Sequence, residues 1–146
     1  MNQVEKRSDS RSVLIAATPA QVFAAMSDPA RVARWWGPDG FTNTIHRFDF
    51  RPGGTWLLTM HGPDGKDYPN ESRFTRLASG AIFEIEHLSG HHFILSIELR
   101  PSGPGTDVHW RQTFDTVDHY ERIAEFVAAA NAQNLKRLAA EVLRSC

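Results

Sequence analysis

The chain has 146 residues, 41% of them hydrophobic and 23% charged, with a formal net charge of −1 and a single cysteine, Cys146. That size and balance suit one globular domain able to bury a substantial core. They leave no basic footprint for nucleic acid or an acidic membrane, and they exclude an internal disulfide and a thiolate metal cluster.

Residues 1–10 (MNQVEKRSDS) are polar and aperiodic and read as a flexible tail, without the apolar run of a secretory signal. No stretch approaches the ~20 apolar residues of a bilayer span, so no membrane partner is expected and the cytoplasm is the default compartment. RSVLIAA (11–17) reads as a strand. TPAQVFAAMSD then starts a helix: Thr18 caps it, Pro19 takes the first position, Gln21 completes a capping box, and Val22, Phe23 and Met26 share a face. Asp28-Pro29 starts a second short helix and Gly37-Pro38 stops it. Within it Val32, Trp35 and Trp36, at i, i+3 and i+4, turn both indoles toward one partner while Arg31 and Arg34 point elsewhere.

From about residue 43 to 115 short strands alternate with turns. In NTIHRFDF, His46, Phe48 and Phe50 alternate with Ile45, Arg47 and Asp49; in TWLLTMH, Trp56, Leu58 and Met60 share a face. GPDG (62–65) marks a hairpin. NESRFTRLA (70–78) turns Phe74 inward, with Glu71 and Arg73 as a surface pair. AIFEIEHL and HHFILSIEL flank Ser89-Gly90, and in TDVHWRQTF the residues Val108, Trp110 and Phe114 share a face. This spacing predicts an antiparallel meander with one dry and one wet face. Residues 117–144 form one helix of roughly 40 Å at ~1.5 Å per residue. Its apolar stripe runs through Tyr120, Ile123, Val127, Leu135, Leu138 and Val142, and turns small and polar midway, at Asn131 among Ala128, Ala129, Ala130 and Ala132.

These elements make an α+β domain in which the long helix covers the dry sheet face. That face carries Phe48, Trp56, Phe74, Phe83, Phe93 and Trp110, opposite alanines and an asparagine on the helix. Such a pairing is either jigsaw packing or a hollow able to hold a ligand.

Catalytic chemistry has few candidates. His46 and His87, near Glu84 or Glu86, make an acid–base pair only if strand parity turns them inward, and a one-residue slip reverses it. His61, His91, His92, His109 and His119 read as solvated. HExxH, CxxC and paired helical histidines are absent, so no metal is expected. Gly-x-Ser-x-Gly, P-loop and dinucleotide fingerprints are also absent, so no cofactor is expected and no catalytic residue is assigned.

Three motifs occur in order: TPAQVFAAMSDPARVARWWGPDGF, RPGGTWLLTMHGPDGKDYPN and LKRLAAEVL. Together they resemble the activator of heat-shock protein 90 ATPase homologue-like family, within the START-like (SRPBCC) superfamily, over about residues 11–145. The resemblance implies a helix-grip fold, in which a curved antiparallel sheet wraps a long C-terminal helix and two short helices follow the first strand. Residues 11–146 would form that single domain, with a small hydrophobic or aromatic ligand in its cavity. Trp35 and Trp36 would sit at the mouth, one as a core pillar and the other facing the pocket. The candidate lining set is Trp35, Trp36, His46, Phe48, Trp56, Met60, Phe74, Phe83, Phe93, Trp110, Val127 and Asn131. Members often carry Gly-Trp where this chain has Ala130-Asn131, which should enlarge or polarise the interior. Asn131 would then bond a neighbouring strand or water, or anchor a polar group of the ligand. Two alternatives stand beside ligand binding: a cyclase, dehydratase or hydrolase using His46 and His87, and a chaperone-activating interaction module. A homodimer through an edge strand or the polar sheet face stays open, and nucleic acid is not an expected partner.

Overall fold

A computed structural model of the chain describes residues 3–144. A short helix α1 (Gln3–Lys6) leads into strand β1 (Ser8–Ile15), followed by helices α2 (Pro19–Ser27) and α3 (Pro29–Trp35). Six strands come next: β2 (Thr42–Phe48), β3 (Thr55–His61), β4 (Asp67–Ala78), β5 (Ile82–His87), β6 (Phe93–Ser102) and β7 (Gly105–Phe114). Helix α4 (Val117–Arg144) closes the chain. The strands form one antiparallel sheet in the order β1-β7-β6-β5-β4-β3-β2, and α4 lies against it, which is the helix-grip arrangement. The first strand starts earlier than the sequence pattern suggests. Ser8 already pairs with Thr113, and Arg7 donates to the Phe114 carbonyl, so the β7 edge organises residues 7–10. The first two residues of the expected tail, and Cys146, lie outside the described residues.

The short helices form where their caps dictate. Thr18 Oγ1 accepts from Gln21 N–H (3.2 Å), while Gln21 Oε1 accepts from Thr18 N–H (2.8 Å). Asp28 Oδ1 accepts from Ala30 N–H (2.9 Å) and starts α3 immediately after α2. The RPGG turn needs its second glycine, because a Cβ on Gly54 would sit 1.9 Å from the Asp49 carbonyl oxygen.

Two bulges set side-chain parity. In β2 the register shifts between Ile45 and Arg47, so Ile45 and Phe48 both turn toward the core and His46 is left outside. In β4 it shifts between Phe74 and Arg76, which lets Phe74 and Leu77 both face inward. A bulge adds one residue to one strand and reverses the alternation beyond it. The core so assembled is strongly aromatic. Trp56 stacks on Phe74 (5.8 Å, 5°), and Phe48, Phe50 and Phe83 meet that pair edge-on or tilted. Trp36 closes it against Trp56 at 4.7 Å.

Polar residues on one side of α4 fasten α3 and the loop after it. A helix ends with carbonyls that have no intrahelical donor, and those of α3 are met from outside. Asn43 Nδ2 donates to Ala33 and Trp36, and Asn134 Nδ2 donates to the Trp35 carbonyl (2.7 Å). The Arg137 guanidinium donates to the carbonyls of Arg34, Trp36, Gly37, Pro38 and Phe41, at 2.8–3.1 Å. One turn further on, buried Glu141 accepts from Arg31, Arg34 and Arg144. Burial alone would push the Glu141 carboxyl up, but the hydrogen bonds from these three arginines outweigh it and bring it down to about 2. A carboxylate whose folded-state pKa lies below its unfolded value (~4.3) adds stability above that value and loses it as pH falls toward 2.

Glu141→Gln should therefore lower the unfolding free energy at pH 7 by about 2 kcal/mol, less than for a fully buried pair because Arg34 and Arg144 reach solvent. In denaturant titrations repeated from pH 7 down to pH 2, the gap between variant and wild type should begin to narrow below about pH 4.5 and be closed near pH 2. A gap independent of pH would contradict this role.

Candidate functional site

A cavity of about 550 Å³ lies between the sheet and the middle of α4. Four groups build its wall. Trp36, Gly37, Pro38 and Phe41 come from the loop that Arg137 holds, and Met60, Tyr68 and Asn70 come from β3 and β4. His87, Phe93 and Leu95, with His91 in the turn between β5 and β6, form a third side, facing Trp110 and Gln112 of β7. Phe126, Ala130 and Asn134 of α4 close it. Their i, i+4, i+8 spacing aligns them along one stripe of the helix. The methyl of Ala130, halfway along that stripe, is what leaves the space unfilled. Exposed Phe126 (70%) and Tyr68 (40%) stand at the mouth with His91.

Of the residues expected in the lining, Trp36, Met60, Phe93 and Trp110 are there. The others are placed elsewhere, for identifiable reasons. Trp35 is fully buried and donates its Nε1–H to the Ala25 carbonyl (2.9 Å), so it is the pillar joining α3 to α2 while its neighbour faces the hollow. Phe48, Trp56, Phe74 and Phe83 pack on one another in the core beside the cavity. His46, moved out by the β2 bulge, bonds the Thr59 hydroxyl on the exposed face (2.8 Å). Val127 and Asn131 lie on the buried stripe of α4, one residue round from the stripe that meets the cavity.

Asn131 bonds two strands instead of lining the cavity. Its Nδ2 donates to the Asp9 carboxylate on β1 (3.0 Å) and to Gln112 Oε1 on β7 (2.9 Å). Burial would raise the Asp9 carboxyl, but hydrogen bonds from Arg11 and Asn131 outweigh it and hold the group below its ordinary value.

His87 points inward and stacks on Phe93 (4.5 Å, 7°). Its Nδ1 is 2.6 Å from the His91 carbonyl oxygen and its Nε2 is 2.5 Å from Asn70 Oδ1. Burial lowers its pKa, the His91 carbonyl acts against that, and the net direction is down. Asn70 Nδ2 is committed to the Tyr68 carbonyl (2.8 Å), so Asn70 offers His87 only its acceptor oxygen. Neutral His87, with one N–H, donates either to that oxygen or to the His91 carbonyl. Neither of the glutamates expected beside it joins it. Glu84 and Glu86 lie on the opposite face of β5, where Glu84 accepts from Thr75 and Ser96 and Glu86 from Arg73 and His92. Arg73 thus pairs with Glu86 across the strands, not with Glu71. His91 reaches His119 (Nδ1 to Nε2, 2.6 Å), which holds Asp115 (2.7 Å). Among the described residues, no group of three or more His, Cys, Asp or Glu is placed to hold a metal ion, and no helix is long and apolar enough to cross a membrane.

The pattern missed Asn70, Gln112, Asn134 and Phe126. The Tyr68-Pro69-Asn70 motif was visible, and Gln112 shares the inward parity of Trp110. Phe126 and Asn134 lie beside the apolar stripe, so hydrophobic periodicity gave them no weight.

Comparison with known proteins follows the geometry. A family profile described as "Activator of Hsp90 ATPase homolog 1-like protein" matches residues 16–142. None of the curated proteins matches the sequence. Among solved structures, an Arthrobacter aurescens protein superposes with a TM-score of 0.87 at 22% identity, over 99% of this chain and 90% of that one. A Nitrosomonas europaea protein also gives 0.87, at 17% identity over the full length of both. The AHSA1 protein of Silicibacter pomeroyi gives 0.73 at 20% identity, over 95% of this chain and 99% of that one. At these identities the structural likeness establishes the fold alone.

The inward placement of His87 yields a direct check. Its imidazole, followed by its Cε1–H resonance in an NMR titration, should have a midpoint below the ordinary value of 6.5. A midpoint at or above that value would mean that solvent reaches the ring freely.

Proposed function

Because the chain belongs to the activator of Hsp90 ATPase homolog 1-like family, we propose that it is a START-like binding domain that encloses one small, largely apolar molecule between sheet and helix. One observation carries this reading. Across about 550 Å³ of space, the aromatic and aliphatic side chains of Trp36, Phe93, Leu95 and Trp110 face an alanine where the helix could have filled the gap. The volume falls within the ~300–1,000 Å³ typical of small-molecule pockets, and a mostly apolar wall with a few polar groups is their usual composition. Asn70, Gln112 and Asn134 supply the polar groups, and the exposed Phe126 ring at the mouth gives an apolar entrant a first contact.

Catalysis finds little support. Acid–base chemistry needs two titratable groups within hydrogen-bond reach of one reacting atom, and His46 bonds Thr59 on the outer face while His87 lies inside. The chaperone reading rests on the family's name, and fold kinship does not transfer function.

Indole fluorescence tests the proposal, since Trp36 and Trp110 line the cavity. Titration with naphthalene- and indole-bodied compounds should give saturable quenching, and Ala130→Trp should abolish it by filling the space. Its melting temperature should stay within a few degrees of wild type, because an added indole there enters a void and not a packed core. Absence of saturable quenching across the panel, or equal quenching in a folded Ala130→Trp protein, would overturn the reading.

A further inference from the structure

Toward the C-terminal end of α4, a second concavity of about 240 Å³ is lined by Arg34 of α3 and by Arg137, Ala140, Glu141 and Arg144 of α4. The spacing i, i+3, i+4 and i+7 puts the four α4 residues on one face of the helix. Exposed Ala140 carries only a methyl group, which leaves space between the guanidinium groups. Glu141, the one carboxylate of this lining, has no acceptor capacity left. Its Oε1 accepts from Arg34 Nε and Arg144 Nε, and its Oε2 from Arg31 Nε, Arg34 Nη2 and Arg144 Nη2. An ionised carboxylate offers about four lone-pair sites, and these five N–H groups already share them.

The arginines are not used up in the same way. Arg34 and Arg144 spend Nε and Nη2 on Glu141, and among the described residues no acceptor meets Nη1 of either. Arg137 gives Nη1 and Nη2 to loop carbonyls, and no acceptor there meets its Nε. All three nitrogens can be reached from outside. The Arg34 and Arg144 side chains are about half exposed, and Arg137 Nε, unlike Arg111 Nε, is not sealed from water. With Arg31, four guanidinium groups gather round the single carboxylate of Glu141. Asp28 and Asp39 act on Arg34 and Arg137 only through space. Even with both counted, four positive charges face three negative ones.

We propose that this concavity is an anion site for a phosphate group, whose oxygens accept from the three open nitrogens of Arg34, Arg137 and Arg144 above Ala140. Charge and donor number select the class. A phosphate monoester is close to a dianion at pH 7 and presents three acceptor oxygens, whereas a carboxylate brings one charge and two oxygens. Arginine suits such a group because its donors lie in a rigid, always charged fork. The site shares no lining residue with the cavity between sheet and helix, so the two readings fail or succeed separately.

Side-chain ¹⁵N-resolved NMR at pH 7.5 tests it with inorganic phosphate and phenyl phosphate, against acetate at equal ionic strength. The Nε–H signals of Arg34, Arg137 and Arg144, assigned through their own side-chain carbons, should shift saturably with a phosphate probe. That probe should bind about tenfold or more tighter than acetate, the difference expected of one further charge-assisted hydrogen bond. Whichever phosphate binds better tells an ester from the free ion. Phenyl phosphate should weaken as the pH falls through about 6, where its second proton returns. Arg144→Gln leaves Arg31 and Arg34 on Glu141 and should weaken phosphate about fivefold. Arg122→Gln removes the same charge from an exposed pair near the other end of α4 and should leave the affinity unchanged. Equal affinity for acetate, equal weakening by the two substitutions, or no saturable shift of the three signals would overturn the proposal. The wild-type comparison of phosphate with acetate decides the matter should Arg144→Gln not fold.

Discussion

The contact of Arg137 with the loop that follows α3 governs the architecture around the cavity. Residues 34–41 leave a helix, make the Gly37 turn and return to the sheet edge, so several carbonyls in a row lack any secondary-structure partner. One guanidinium on α4, with its fixed fork of donors, meets five of them. Among the described residues no carboxylate forms an ion pair with it, and burial, against the opposing charge of Asp39, holds its pKa below the usual guanidinium value. A charge-assisted hydrogen bond to a buried carbonyl is stronger than a neutral one, and five from a single side chain specify one loop position. Asn134 and Glu141, on either side of Arg137 along α4, tie the same loop and α3 to the helix. The consequence for the interior is direct. Trp36 is held as a wall, and the loop cannot fold down onto Ala130. At Gly37 the backbone turn that makes this possible has φ +95°, a conformation that residues with a Cβ rarely adopt.

A second polar path crosses the buried side of α4. Arg11 holds Asp9 ionised, Asp9 orients Asn131, and Asn131 orients Gln112. An asparagine in an apolar helix stripe is unfavourable unless its hydrogen bonds are met, and here two strands meet them. The path fixes the rotation of α4 against β1 and β7, since turning the helix would break both bonds of Asn131. It also orients Gln112, which lines the cavity. Fold specificity and the cavity wall therefore depend on the same four side chains.

Features set by neighbours in sequence were legible before any coordinates. The capping box at Thr18, the Asp28-Pro29 start and the length of α4 depend on local chemistry and on a 3.6-residue period, and both are written in the order of residues. The size mismatch of small α4 side chains against a strongly aromatic sheet face was legible too, although the pattern left jigsaw packing and a hollow equally open. Strand parity was not. Strict alternation puts His46 with Phe48, and the β2 bulge, which depends on how β3 pairs with it, separates them. Helix rotation was equally hidden. The apolar stripe through Val127 and Asn131 shows what is buried, whereas the cavity meets the adjacent stripe through Phe126, Ala130 and Asn134. Arg137 and Glu141 read as solvated charges on an amphipathic helix, because their partners lie about a hundred residues away. The tertiary partners of long polar side chains leave no periodic trace.

The central claim is that this clamped loop keeps a real void open beside Ala130. A crystal of the protein pressurised with xenon tests it without assuming any ligand, since xenon enters apolar cavities and needs no hydrogen bond. The account predicts xenon density between Trp36, Leu95, Trp110 and Ala130, with the loop unmoved. Side chains in van der Waals contact across that space, with no xenon between them, would contradict it.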